Sequence, residues 1–144
     1  MNCEKYIIRQ ISLFSENKPG RLAAMAKVCQ DEGVNILAFS IAEADGFGVI
    51  RALVDKPDLA FQKLTALGYN VAFTNVIGVE MKDEPGGLYE IASELAKAKI
   101  NIEYSYAYSG KERAVLILRV DNVEESVRLL LENKFTIIAS STIH

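Results

Sequence analysis

Two hexapeptides decide how this chain is read: NKPGRL at residues 17–22 and DEPGGL at residues 83–88. Each follows an apolar, strand-like run and precedes an amphipathic helix pattern. A Pro-Gly pair at such a junction is turn chemistry, but its recurrence points to duplication. A shift of 66 positions superimposes Pro19 on Pro85, Gly20 on Gly86, Leu22 on Leu88 and Ala26 on Ala92. The same shift pairs Asn35 with Asn101, Ile36 with Ile102, Val49 with Val115, and Asp55 with Asp121, with no gap. The chain is a tandem repeat, and its expected domains are residues 1–74 and 75–144.

Both copies carry the same element pattern. Strand signals at 6–14 and 76–81 lead into helix faces. Leu22, Met25, Ala26 and Cys29 keep the i, i+3, i+4, i+7 spacing, and Leu88, Ile91, Ala92 and Leu95 repeat it. Further strands are expected at 35–43 and 47–54, and again at 101–108 and 113–120. Turn residues separate them at Ala44-Asp45-Gly46 and Ser109-Gly110-Lys111. A second helix is expected at 57–67, with Pro57 in its first turn. Its counterpart sets Val123, Val127, Leu130 and Leu131 on one face. Short strands at 69–73 and 135–140 close the copies. The order βαββαβ, twice, with right-handed crossovers predicts an α+β fold. It consists of two ferredoxin-like units, each an antiparallel four-stranded sheet with both helices on one face. Only Thr74-Asn75 separates the copies, so a packed tandem pair is expected.

Bulk composition narrows the function. Half of the 144 residues are hydrophobic and the net charge is −3, which supports a buried core and gives no basic face for nucleic acid. Two cysteines, Cys3 and Cys29, are too few for a disulfide framework or a metal cage, so neither metal nor cofactor is expected. Cys29, on a core-facing helix position, reads as a buried, unreactive thiol. MNCEKYIIR has no signal-peptide pattern and no apolar run is long enough to span a bilayer, so a cytoplasmic protein without membrane contact is expected.

Catalytic constellations are absent. His144, the one histidine, is expected to fray at the chain end. No Gly-x-Ser-x-Gly or Walker-type loop occurs, and nothing singles out carboxylates such as Glu103 or Asp83 for a reaction. A non-enzyme is expected. Asp45-Gly46-Phe47-Gly48-Val49-Ile50-Arg51-Ala52 imitates an RNA-recognition strand. It has an acidic residue where a basic one is needed, and it lacks stacking aromatics at Val49 and Ala52. A hairpin glycine pair explains it better than an RNA-binding surface. Tyr104, Tyr106 and Tyr108 share one strand face, read as a half-buried stripe or, alternatively, a ligand wall.

The Pro-Gly turns carry the functional reading. The first N–H groups of the following helix lack intrahelical partners and suit a carboxylate. Gly20 and Gly86 would admit close backbone approach, and Pro19 and Pro85 stiffen the turn. Asn17 and Asp83 could accept from an ammonium, or could simply cap the helix. Asn35 and Asn101 stand fifteen residues after each glycine, where they could bind a ligand or merely shape a turn. Donors for a carboxylate and acceptors for an amine together match a free α-amino acid.

The pattern D/N-x-P-G-x-L followed by (G/K)-(V/I)-N-I, present as NKPGRL…GVNI and DEPGGL…KINI, resembles the ACT domain family over essentially the whole chain. The resemblance implies small-molecule sensing, most often of amino acids, at the interface of paired domains. First-loop residues of one domain and the second-strand start of its neighbour would hold the ligand. On this sequence those are Asn17, Lys18, Pro19, Gly20, Arg21, Leu22, Asn35 and Ile36, with Asp83, Glu84, Pro85, Gly86, Gly87, Leu88, Asn101 and Ile102. The first copy is similar to the serine-sensing regulatory domain of phosphoglycerate dehydrogenases. It departs at Ser15, where that pattern has histidine, and the second copy has Met81 there. The two half-sites should therefore differ, Gly87 leaving more room for a ligand. A homo-oligomer, most simply a dimer, and a partner enzyme of amino-acid metabolism are expected. A structural pairing module without ligand is the alternative.

Overall fold

The computed structural model describes residues 3–109 and 113–144. Its regular elements are β1 (Ile8–Glu16), α1 (Arg21–Asp31), β2 (Ile36–Ala44), β3 (Phe47–Val54), α2 (Pro57–Ala66), β4 (Asn70–Met81), α3 (Gly87–Lys97), β5 (Ile102–Ser109), β6 (Ala114–Val120) and α4 (Val123–Glu132). The α+β class and the repeated order stand as expected. The chain divides into two compact units. One comprises Arg9–Thr74 with Ile143–His144, and the other Asn75–Thr142 with the chain's start through Ile8.

In the first unit β3 pairs antiparallel with both β1 and β2, and the opening residues of β4 lie on the other side of β1. Ser12 Oγ and Thr74 Oγ1 meet there at 3.3 Å. Opposed residues in an antiparallel pair share a face, so Ile11 with Ala52 and Leu13 with Ile50 point the same way. Met25 and Cys29 of α1 and Ala60 and Leu64 of α2 join that cluster, which puts both helices on one sheet face. Pro57 opens α2, where a missing N–H is harmless.

The second unit repeats this arrangement. Ile77 and Val79 of β4, opposite Leu118 and Leu116 of β6, are buried with Ile91, Leu95, Val127 and Leu130. Its closing strand is shorter than the expected 135–140. It is reduced to a bridge between Val79 and Ile137, flanked by Glu80 N–H to Thr136 O and Ile138 N–H to Gly78 O, both 2.8 Å. Gly78 serves this crossing, since a Cβ there would come within 2.7 Å of Ile138 Cδ1. α4 is capped by Asn122, whose Oδ1 accepts from Glu125 N–H at 3.1 Å.

Several readings change. The strands expected separately at 69–73 and 76–81 are one strand, β4, which runs through Thr74-Asn75. His144 is not frayed: its Nε2 accepts from Arg9 N–H, and its Nδ1 lies 3.2 Å from Val54 O. Leu88 is 55% exposed rather than core-facing. Asp45 (φ 52°) and Gly46 (φ 83°) form the expected tight hairpin, while Gly110 and Lys111 of the second hairpin lie outside the described residues.

The tyrosine stripe is half-buried and lies on the face away from the helices, because Tyr106 opposes Ile117 and Tyr108 opposes Val115. On β2 the apolar residues take the opposite side. Phe39 opposes Ala52 and Ile41 opposes Ile50, so both project on the helix side, 50% and 45% exposed.

The glycines of the Pro-Gly turns have separate causes. Gly20 and Gly86 are left-handed, φ 92° and 94°, with open space where a Cβ would stand, so backbone conformation requires them rather than close approach. At Gly87 a Cβ would lie 2.0 Å from Lys82 O. The room left by its missing side chain is therefore filled by the protein's own backbone and not by a ligand. Gly86→Ala should cost about 1–2 kcal/mol, whereas Gly87→Ala should cost about 3 kcal/mol or more, because main chain must move. Urea midpoints measure both, and equal losses would refute the distinction. Burial, helped by the nearby Asp55 charge, pushes the Cys29 thiol up. Iodoacetamide should therefore modify half-buried Cys3 first and reach Cys29 only when urea unfolds the protein.

Candidate functional site

The first Pro-Gly turn is built by its neighbours. Asn17 N–H donates to Gly46 O at 2.8 Å, tying the turn to the β2–β3 hairpin. Gly48 opposes Ser15 on β1, and a Cβ on it would come within 3.2 Å of Asn17 Cβ. The second glycine of the hairpin thus makes space for Asn17. Arg21 N–H turns back to Lys18 O at 3.3 Å, and Ala24 N–H reaches Gly20 O at 2.9 Å. Between them, the Leu22 and Ala23 amides find no acceptor among the described residues. Gly20 is the N-cap, and no side chain caps α1. Asn17 is therefore not a helix cap, which removes the simplest structural explanation for it.

Leu22 and Ala23 line a cavity of about 130 Å³. Its polar rim is Ser15, Asn17, Lys18 and Arg21, and its apolar wall is Leu22, Ile41 and Ile50. Arg21 Nε is buried without a hydrogen-bond partner. Lys18 instead pairs with Glu16 at 3.0 Å. That hydrogen bond holds the Glu16 carboxyl below its ordinary range, with Lys18's charge and, more weakly, Arg21's adding to it. Helix-start amides and a guanidinium Nε without a hydrogen-bond partner, beside one apolar hollow, can receive a carboxylate.

At the second turn Gly86 repeats the backbone, and α3 also lacks a side-chain cap. Asp83, Glu84, Pro85 and Leu88 are exposed, and Gly87 is buried. The cavity near this turn touches it at Gly87 and otherwise lies against Glu80, Met81, Lys82 and the chain from Asn133 to Thr136, with none of the counterparts of Ile41, Ile50 or Asn17 in its wall. The two turns share a backbone but not a pocket.

Asn35 and Asn101 stand at the far end of the preceding helix. The 11 residues of α1 span about 16 Å, so Asn17 and Asn35 are not brought together within a unit. Instead each asparagine closes a clasp. Asn35 N–H donates to Asp55 Oδ1 at 2.9 Å, and Asn101 N–H to Asp121 Oδ1 at 3.1 Å. Asp55 N–H and Asp121 N–H return to the asparagine carbonyls. Both asparagine side chains are exposed. Ile36 and Ile102 turn inward and pack on the cores.

Sequence reasoning missed the walls Ile41 and Ile50, and the clasp residues Asp55 and Asp121. The Asp55–Asp121 match at the repeat offset was the available signal for the clasp. The walls needed the strand register. Among the described residues no cluster of His, Cys, Asp and Glu could hold a metal, and no helix is long and apolar enough to cross a membrane.

Comparison with known proteins identifies the fold and the family. The crystal structure of protein BT0572 from Bacteroides thetaiotaomicron is similar at TM-score 0.90 and 32% identity, covering 96% of each chain. The ligand-free regulatory subunit of aspartate kinase from Thermus thermophilus shares the fold at TM-score 0.65 and 15% identity, over 90% of this chain and 94% of that one. The regulatory subunit of aspartate kinase from Thermus flavus does so at 0.58 and 14%, over 88% and 92%. No curated protein matches in sequence. The sequence profile described as ACT domain pair matches residues 6–144, and this chain belongs to that family.

Proposed function

We propose that this protein senses a free amino acid and regulates by binding it at the first Pro-Gly turn. The reading rests on one observation: the uncapped start of α1, where the Leu22 and Ala23 amides and Arg21 Nε meet an apolar hollow without partners of their own. The ligand carboxylate takes these donors, the ammonium reaches Asn17 Oδ1, and the side chain lies against Ile41 and Ile50. Lys18, Pro19 and Gly20 shape the turn.

Asn35 lies too far from Asn17 within one unit to share a ligand with it. Its side chain, or that of Asn101, completes the site from a neighbouring ACT domain, as the family resemblance implies. Binding then favours the paired state, because the whole site exists only when two domains meet. The second turn, with the exposed Asp83, Glu84, Pro85, Gly86 and Leu88, and with Asn101 at the strand start, is a half-site of different chemistry. The protein acts in the cytoplasm, as a homodimer or on a partner enzyme of amino-acid metabolism.

Thermal shift against the common amino acids tests this. A ligand at about 100 times its Kd adds about 2.7 kcal/mol of stability. Asn17→Ala and Arg21→Ala should each weaken binding about tenfold or more, and Asn35→Ala or Asn101→Ala should weaken it through the neighbouring domain. Silence across the panel at millimolar concentration would favour a structural pairing module. Analytical ultracentrifugation should show the ligand raising the associated fraction. An unchanged distribution at saturation would remove the coupling to assembly.

A further inference from the structure

The second unit contains a larger cavity, about 320 Å³, at the end of β4 and the exit of α4. Lys82, Arg113 and Lys134 line it together with Glu80 and Glu90, leaving one cation in excess. The existing pairs are loose. Arg113 Nη1 stands 4.0 Å from Glu80 Oε2, and Lys82 Nζ stands 3.4 Å from Glu90 Oε1. Lys134 makes no ion pair among the described residues. Its N–H donates to Leu131 O at 3.0 Å, which fixes the backbone, and the residue itself is exposed.

The repeat shows that this chemistry belongs to one copy. At the shift of 66 positions, Lys82, Arg113 and Lys134 correspond to Glu16, Phe47 and Gly68. None of the three cations has a basic counterpart, so the duplicated scaffold does not require them. We propose that this cavity is a second binding site, separate from the α1 turn, for a small oxyanion with more than one negative oxygen, a dicarboxylate or a phosphate. An incoming anion would recruit Arg113 and Lys134 without breaking a close, well-formed ion pair, and charge-assisted hydrogen bonds to these cations would hold it.

Lys134 also supplies an unusually clean test. It has φ 65°, at the position where Gly68 has φ 90°, so glycine suits that backbone better than lysine. Lys134→Gly should keep or raise the melting temperature while removing the ammonium. Titration calorimetry of the full chain with inorganic phosphate, and separately with succinate, in low-salt buffer, should show saturable binding of at least one. Which of the two binds identifies the source of the anion. Lys134→Gly and Arg113→Gln should each weaken it about tenfold or more, and added salt should weaken it further. Arg21→Gln, at the other cavity, should leave it unchanged. The proposal is overturned if neither anion binds at millimolar concentration. It is equally overturned if binding survives both cavity variants or is lost in Arg21→Gln.

Discussion

At Gly20 and Gly86 the chain leaves a strand and enters a helix across four residues in the first copy and five in the second, and a left-handed N-cap makes this possible. The consequence is chemical as well as geometric. A glycine N-cap has no side chain to return to the helix, so the first-turn amides stay open. Serine, threonine or aspartate at that place would supply an internal acceptor. Asn122 does this at the start of α4. α2 also lacks a side-chain cap, but its buried Pro57 has no N–H to leave open, so the open glycine starts belong to α1 and α3.

The same backbone yields different sites because what surrounds it has diverged. In the first copy, Ile41, Ile50 and Leu22 line a hollow beside the open amides, and Glu16 pairs with Lys18 while Arg21 Nε has no hydrogen-bond partner. In the second, Lys82 turns to Glu90, Leu88 and Tyr89 project into solvent, and the concave surface moves to the charged exit of β4. Duplication preserved the elements that depend on main-chain conformation and released those that depend on side chains.

That division explains what the sequence could disclose. The fold was legible because Met25, Cys29, Ile91, Leu95, Val127 and Leu130 keep the periodicity of buried helix faces, and because Pro-Gly recurs at one offset. The Pro-Gly turns that carry the candidate site were legible for the same reason. Ile41 and Ile50 were not, since their meeting depends on the register that sets Leu13, Ile50 and Ile41 in one row across the sheet. The role of Gly87 was misread because its constraint is contact with Lys82 O, five residues earlier, which no spacing rule reveals. His144 was misread from its place at the end of the sequence. The acceptors and donors it meets, Val54 O and Arg9 N–H, are more than 80 residues away.

The edge strands carry this divergence to the surfaces a partner would meet. β2 and β5 each begin with a register shift, after Ile36 and after Ile102. Beyond it, β2 turns Phe39 and Ile41 to the helix side and Ala38, Ser40 and Ala42 to the other. β5 does the reverse, with Ser105 and Ala107 on the helix side, opposite Leu118 and Leu116, and its tyrosines on the far face. Side-chain alternation has a period of two, so no sliding of one strand along a partner converts the first pattern into the second while keeping the core in place. A protein or chain that recognises the apolar side of β2 therefore meets a different surface on β5. The two copies are equivalent in topology, and their edges are chemically opposite.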